Sequence, residues 1–272
     1  MAVTMAEIQK LRSMTGAGMM DCKKALTDAE GDMEKAIEEI RKRGKAIAAK
    51  RSEREASEGC VLAAVKDGFA AIVALKCETD FVAKNADFVA LTKQILDKAL
   101  ESQAITMDEL KAQTIEGRTI ADLITERSGV TGEKMELGYY ETVKGESVVE
   151  YIHPGNKLAA IIAFAEAGVE HQVARDIAMQ VAAMNPIALD RASVPAHIVE
   201  KELEIGREKA REEGKPEAML DKIAQGRLNK FYQEVTLIEQ SFIKESKESV
   251  GTYAKANHAT PIDFKRVTLN EE

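Results

Sequence analysis

Apolar residues along this chain switch between two spacings, and the switches mark its elements. From Thr4 to Gly44 they recur at three- and four-residue steps: Ile8 and Leu11, a run from Met19 to Ala29, then Met33, Ala36, Ile37 and Ile40. That period gathers them on one side of a helix. Thr4 with Glu7 has capping-box spacing, Gly16 and Gly18 break the first helix, and Gly31 ends the second. Asp32 can cap a third helix, which Gly44 is expected to stop. Residues 1–54 are therefore expected to form a three-helix amino-terminal domain with a basic linker. A bundle this small is marginal alone and should borrow stability from its surroundings or a partner.

Past residue 54 the period tightens. Cys60–Val65 and Phe69–Cys77 are runs of small and β-branched residues joined by Lys66-Asp67-Gly68, a hairpin turn signal. Phe88, Leu91, Ile95 and Ala99 then restore a helical stripe. The same order returns as Ser147–Ile152, the loop His153-Pro154-Gly155-Asn156-Lys157, Leu158–Ala165 and a helix from Val173 to Met184. Ala71-Ile72-Val73-Ala74-Leu75 and Ala160-Ile161-Ile162-Ala163-Phe164 are near copies, which signals an internal repeat. The fold class this predicts is α+β: two related halves, each a small antiparallel sheet covered by helices on one face. They are assigned to 55–138 and to 139–195 with 234–272, the latter interrupted by an inserted αα-hairpin over 196–233. Asp108–Ser128 is expected to be helical, Met135–Val143 an added strand, and Phe264–Leu269 a last strand. In the hairpin, Ile198, Ile205 and Ala210 should face Met219, Ile223 and Phe231, with Gly206 and Gly226 allowing close helix approach.

Between strand and helix of the first half lies Lys76-Cys77-Glu78-Thr79-Asp80-Phe81-Val82-Ala83-Lys84-Asn85. Thr79 can cap a single helical turn, Asn85 is read as its left-handed stop, and Asp87 as the cap of the longer helix. Such a bracket would hold Asp80 and Phe81 out at the end of a sheet. The second half carries Ala167-Gly168-Val169-Glu170-His171 at the corresponding place, with no aromatic. The fold therefore does not demand one there, which points to a use for Phe81 outside its own core.

Composition narrows the chemistry. The chain has 272 residues, 45% of them hydrophobic, and a net charge of −8. This suits a globular protein and counts against a broad nucleic-acid face, which needs clustered Lys and Arg. Cys22, Cys60 and Cys77 make no C-x-x-C pair, so reduced thiols in the cytoplasm are expected. No secretory head and no long apolar window is visible. His153, His171, His197 and His258 are too scattered to ligate a metal together. Gly16-Ala17-Gly18 lacks the third glycine and the preceding strand of a phosphate cradle. With no nucleophile–base set in view, the expectation is a binding protein without cofactor or metal, not an enzyme. Met19 and Met20, neighbours about 100° apart on a helix, cannot both face inward. One should present a pliable thioether to a partner.

Two segments carry a family resemblance. Cys77-Glu78-Thr79-Asp80-Phe81-Val82-Ala83-Lys84-Asn85 resembles a signature of the bacterial elongation factor Ts family. Leu11-Arg12-Ser13-Met14-Thr15-Gly16-Ala17-Gly18-Met19-Met20-Asp21-Cys22-Lys23-Lys24-Ala25-Leu26 resembles that family's amino-terminal signature. The resemblance implies a ubiquitin-associated-like bundle at the amino terminus and guanine nucleotide exchange on elongation factor Tu. It implies that Phe81, fixed by Thr79, Asp80 and Val82, enters the partner and dislocates its Mg²⁺. It further implies that Arg12, Met19, Met20 and Lys23 meet the partner's nucleotide-binding domain, and that His153 meets another of its domains. Pro154 departs from the small residue expected beside that histidine. Some family members continue into an extra helical module; this chain, ending at Glu272, is expected to lack that contact. The oligomeric state and the stoichiometry with the partner are left open, a homodimer and a heterotetramer being among the options. The rival reading is a ribosome- or RNA-associated adaptor using the basic stretch 41–54.

Overall fold

Three helices open the computed structural model, which describes residues 3–270: α1 (Met5–Thr15), α2 (Met19–Asp28) and α3 (Met33–Arg51). The Thr4 hydroxyl accepts from the Glu7 amide while the Glu7 carboxylate accepts from the Thr4 amide at 2.8 Å, a reciprocal cap. Gly16 closes α1 in the left-handed conformation, and Asp32 caps α3 by accepting from the Glu34 and Lys35 amides. Ile8, Leu11, Cys22, Ala25, Leu26 and Ala36 form the buried centre, with Met33, Ile37 and Ile40 packed against it.

The chain continues through β1 (Glu58–Lys66), β2 (Phe69–Cys77), α4 (Asp80–Ala83), α5 (Ala86–Ser102) and α6 (Met107–Ala112). Next come β3 (Thr114–Ile115), β4 (Arg118–Thr119), α7 (Ile120–Thr131) and β5 (Glu136–Lys144). The Asp67-Gly68 turn between β1 and β2 has both residues at positive φ, 50° and 72°, as a tight hairpin with matching twist requires. Residues 108–128 are not one helix. Glu116 and Gly117, at φ 50° and 77°, turn a two-residue hairpin of β3 and β4 between α6 and α7.

Gly44 does not end α3. The helix runs on to Arg51, and Gly44 instead lies against Gly129 of α7. A Cβ at Gly129 would collide with the Gly44 backbone. Arg41–Glu126 at 3.0 Å and Lys45–Asp122 at 3.3 Å flank this crossing. The glycine at position 44 therefore serves close approach within a continuous helix, a use that overrides its poor helix propensity.

The second half follows as β6 (Ser147–Ile152), β7 (Leu158–Phe164), α8 (His171–Met184), α9 (Ala196–Glu212) and α10 (Leu220–Val235). It closes with β8 (Ser241–Phe242), β9 (Glu245–Ser249), α11 (Val250–Ala256) and β10 (Pro261–Thr268). One sheet has strand order β1-β2-β5 and the other β10-β7-β6. In each, the second strand of a hairpin is central and a strand from much later in the chain pairs with its free edge. This is the repeat seen in the sequence, now as topology. β7 pairs antiparallel with both neighbours, Ile162 opposite Val149 on one side and Phe264 on the other.

Packing divides the chain into two units. One takes the chain up to residue 62, residues 73–140 and the segment from 269 on; the other takes residues 63–72 and 141–268. In the second unit, Leu158, Ala160, Ile162 and Phe164 join Val173, Ile177 and Val181 of α8, with Leu237, Phe242 and Val250, in one core. Ala159, Ile161 and Ala163 on the opposite face are fully buried as well, so the strand is covered on both faces and not on one. A central strand buried on both faces must be apolar at every position, which is why these runs show no alternation.

Polar groups of α8 tie down the following segment. Asp176, buried, accepts from Lys244 Nζ and Gln172 Nε2, each at 2.6 Å, and Gln180 Nε2 donates to Gln240 at 3.1 Å. In the α9–α10 hairpin the buried face is Gly206 and Ala210 against Leu220, Ala224 and Leu228. Gly206 sits against Ala224, but Gly226 faces open space and Met219 is exposed. The contact face is thus one step round α10 from the expected Met219, Ile223 and Phe231. Among the described residues no helix is long and apolar enough to cross a membrane.

Candidate partner-binding site

β2 ends at Cys77, and beyond it the chain must satisfy backbone groups without a strand partner. Glu133, which follows α7, supplies the acceptor. Its Oε2 accepts the Glu78 amide at 3.1 Å and the Thr79 amide at 3.0 Å, and its Oε1 accepts the Thr79 hydroxyl at 2.6 Å. Glu78 reciprocates: its carboxylate accepts the Lys134 amide at 2.6 Å, Arg51 at 3.1 Å and Arg54 at 3.2 Å. The two segments thus hold each other's backbone through paired carboxylates.

Thr79 then caps α4, its hydroxyl accepting from the Val82 amide. Ala83 is buried under the turn, while Phe81, two positions earlier and so about 200° away around a helix, points outward. The ring is 84% exposed. Asp80 begins the turn and pairs with Lys84 at 2.6 Å. Asn85 is not a left-handed stop. Its backbone is extended (φ −66°, ψ 132°) and its side chain accepts from the Asp87 amide at 2.9 Å, so Asn85 itself caps α5. Asp87, expected as that cap, pairs instead with Arg127 at 3.0 Å.

A second candidate surface lies on the helical bundle. Arg12, Met19, Met20 and Lys23 are all exposed, flanking the Gly16–Gly18 turn. Both methionines face outward, not one; Met20 is 76% exposed. Gly18 is the cap of α2 and leaves the first helical turn open. His153, in the other unit, is exposed at the start of the β6–β7 loop, where its Nδ1 lies 3.0 Å from the Tyr151 hydroxyl.

The basic stretch 41–54 is largely engaged by the fold. Arg41 reaches Glu126, Lys42 reaches Glu38, Arg43 reaches Asp28, Lys45 reaches Asp122, and Arg51 and Arg54 reach Glu78. A phosphate backbone would have to compete with these carboxylates, so no observation favours the RNA-adaptor reading.

The family model described as Elongation factor TS matches residues 78–271. The Elongation factor Ts of Porphyromonas gingivalis is 60% identical over the full length of both chains. The chain belongs to the elongation factor Ts family. Family members from Azobacteroides pseudotrichonymphae and Bacteroides thetaiotaomicron, 57% and 45% identical, are likewise covered over all of both chains. Membership carries a role in translation elongation as an elongation factor Ts-type guanine nucleotide exchange factor.

Sequence reasoning did not find Glu133. It stands in Thr131-Gly132-Glu133-Lys134, an ordinary helix exit, and meets Thr79 only through the fold. The Glu78 carboxylate gives one measurable consequence. Its pKa is held below the ordinary 4.5, first by the Lys134 amide and then by Arg54 and Arg51. A depressed carboxylate stabilises the fold fully above the unfolded-state value and loses that contribution as pH falls through the folded value. Chemical denaturation of Glu78→Gln should therefore show a constant deficit against the parent at neutral pH. The deficit should shrink below pH 4.5.

Proposed function

We propose that this chain promotes GDP release from elongation factor Tu by offering Phe81 as a wedge to the partner's nucleotide domain. Thr79, Asp80 and Val82 set the turn that carries the ring. The exchange role itself rests on family membership; the wedge rests on the ring's position. An aromatic side chain left 84% exposed forgoes the burial that stabilises a core ring, and among the described residues it is the most exposed large apolar side chain. It does so on a turn whose backbone is held by hydrogen bonds at both ends. That single observation carries the reading.

Tight GDP binding in a GTPase relies on a phosphate loop and Mg²⁺, and an exchange factor works by preferring the state in which they are disturbed. In the proposed mechanism, Phe81 enters a gap between partner helices near the switch region. Insertion shifts the Mg²⁺ ligands and the phosphate loop, and GDP leaves. Burying one phenylalanine is worth about 1.5–3 kcal/mol, or about 10- to 150-fold in rate if all of it favours the open state. Further stabilisation of that state comes from Arg12, Met19, Met20 and Lys23 against the nucleotide domain and from His153 against another domain. Nothing in this scheme requires the chain to bind nucleotide itself.

The test is release of a fluorescent GDP analogue from elongation factor Tu chased with excess GDP. Substoichiometric amounts of the chain should accelerate release through many turnovers. Release at the spontaneous rate would end the proposal.

A further inference from the structure

We infer that Glu133 is a positioning residue for nucleotide exchange, one that holds the Phe81 turn in the orientation its partner meets. The inference rests on the wedge reading and adds to it a residue outside the 76–85 segment.

With most of its surface in solvent, Phe81 gains little from its own fold, so its direction depends on the backbone of the turn. That backbone is fixed at one end by burial of Ala83 and at the other by Glu133. One carboxylate oxygen takes two successive amides, Glu78 and Thr79, and the other takes the Thr79 hydroxyl proton. Directing that proton to Glu133 leaves a hydroxyl lone pair for the Val82 amide, so the carboxylate also orients the cap of α4. Glu133 is itself held. Its carbonyl accepts from Ser128 Oγ at 2.5 Å, its amide donates to Thr131 Oγ1 at 3.3 Å, and the next amide is bound by Glu78. A turn ordered before contact need not be ordered at the moment of insertion, and that ordering would otherwise oppose the open state.

The experiment is a double-mutant cycle on the rate of fluorescent GDP release, measured across concentrations of the chain. Glu133→Ala should lower the maximal rate about tenfold, as loss of charge-assisted bonds to the turn implies, with a smaller change in the half-saturating concentration. Glu133→Gln should fall between the parent and Glu133→Ala, because its amide oxygen can still accept from both backbone donors while its NH2 group cannot take the Thr79 hydroxyl proton. In a Phe81→Ala background, Glu133→Ala should change the rate by less than about twofold, since residues acting as one unit are not additive. Parallel variants cover the case of a poorly folded Glu133→Ala: Thr79→Ser should keep the rate and Thr79→Val should lose it, with the same dependence on Phe81. A Glu133→Ala protein as fast as the parent would overturn the inference. So would one slowed by the same factor with and without Phe81, which is the signature of general destabilisation. If Phe81→Ala itself exchanged at the parental rate, the wedge reading would fall instead.

Discussion

Phe81→Ala should slow catalysed GDP release by about 10- to 150-fold, the range set by the worth of burying one phenylalanine. The same substitution should leave unfolding nearly untouched. The ring is 84% exposed and lies outside the cores of its own chain. Surface substitutions of that kind usually change stability by less than about 0.5 kcal/mol. The combination is diagnostic, because a core phenylalanine would behave the other way round. Truncating Phe88, fully buried seven positions later on α5, should cost about 3–5 kcal/mol of stability. Stopped-flow release with the two variants, alongside circular dichroism melts, separates an outward use of the side chain from an inward one. An unchanged rate for Phe81→Ala would remove the wedge from the mechanism.

Gly129→Ala is expected to be strongly destabilising for a change of one methyl group. The added carbon would meet the Gly44 backbone, and backbone cannot rotate aside as a side chain can. α3 and α7 would have to separate, which overpacking data place at about 3 kcal/mol. Their flanking pairs, Arg41–Glu126 and Lys45–Asp122, would lengthen together. Gly226→Ala is the natural control. It is also an interior helical glycine, but nothing lies within 4 Å of the new carbon. There the gain in helix propensity, up to about 1 kcal/mol, should dominate. Denaturant midpoints of the two variants should therefore move in opposite directions. A neutral Gly129→Ala would mean that the two helices do not cross at these residues.

These glycines also show where the sequence was legible and where it was not. Local chemistry was readable: the Thr4–Glu7 cap, the Asp67-Gly68 turn and the Thr79 cap each depend on residues within four positions of one another. The repeat was readable because a strand covered on both faces must be apolar throughout, and two such runs stand out. Gly44 was misread as a stop because its reason for being there, Gly129, lies far away in the chain. Asn85 was misread because the same side chain serves a left-handed exit or a helix entry, and only the extended backbone decides. The β3–β4 hairpin was missed because Glu116-Gly117 is a weaker turn signal than Asp-Gly, set between two helical stripes. Glu133 left no local trace at all. Its partners at Glu78 and Thr79 were in view, but nothing in their neighbourhood says what would accept their amides.

Photo-crosslinking asks most directly whether the Phe81 ring leaves water inside elongation factor Tu. Position 81 would carry a benzophenone amino acid in place of phenylalanine, and the nucleotide-free complex would be irradiated and mapped by mass spectrometry. Adducts are expected on the partner's nucleotide domain, on helices beside its Mg²⁺ and phosphate site, and should be lost when excess GDP dissociates the complex. Adducts confined to this chain, or to partner surfaces away from that site, would contradict the wedge reading.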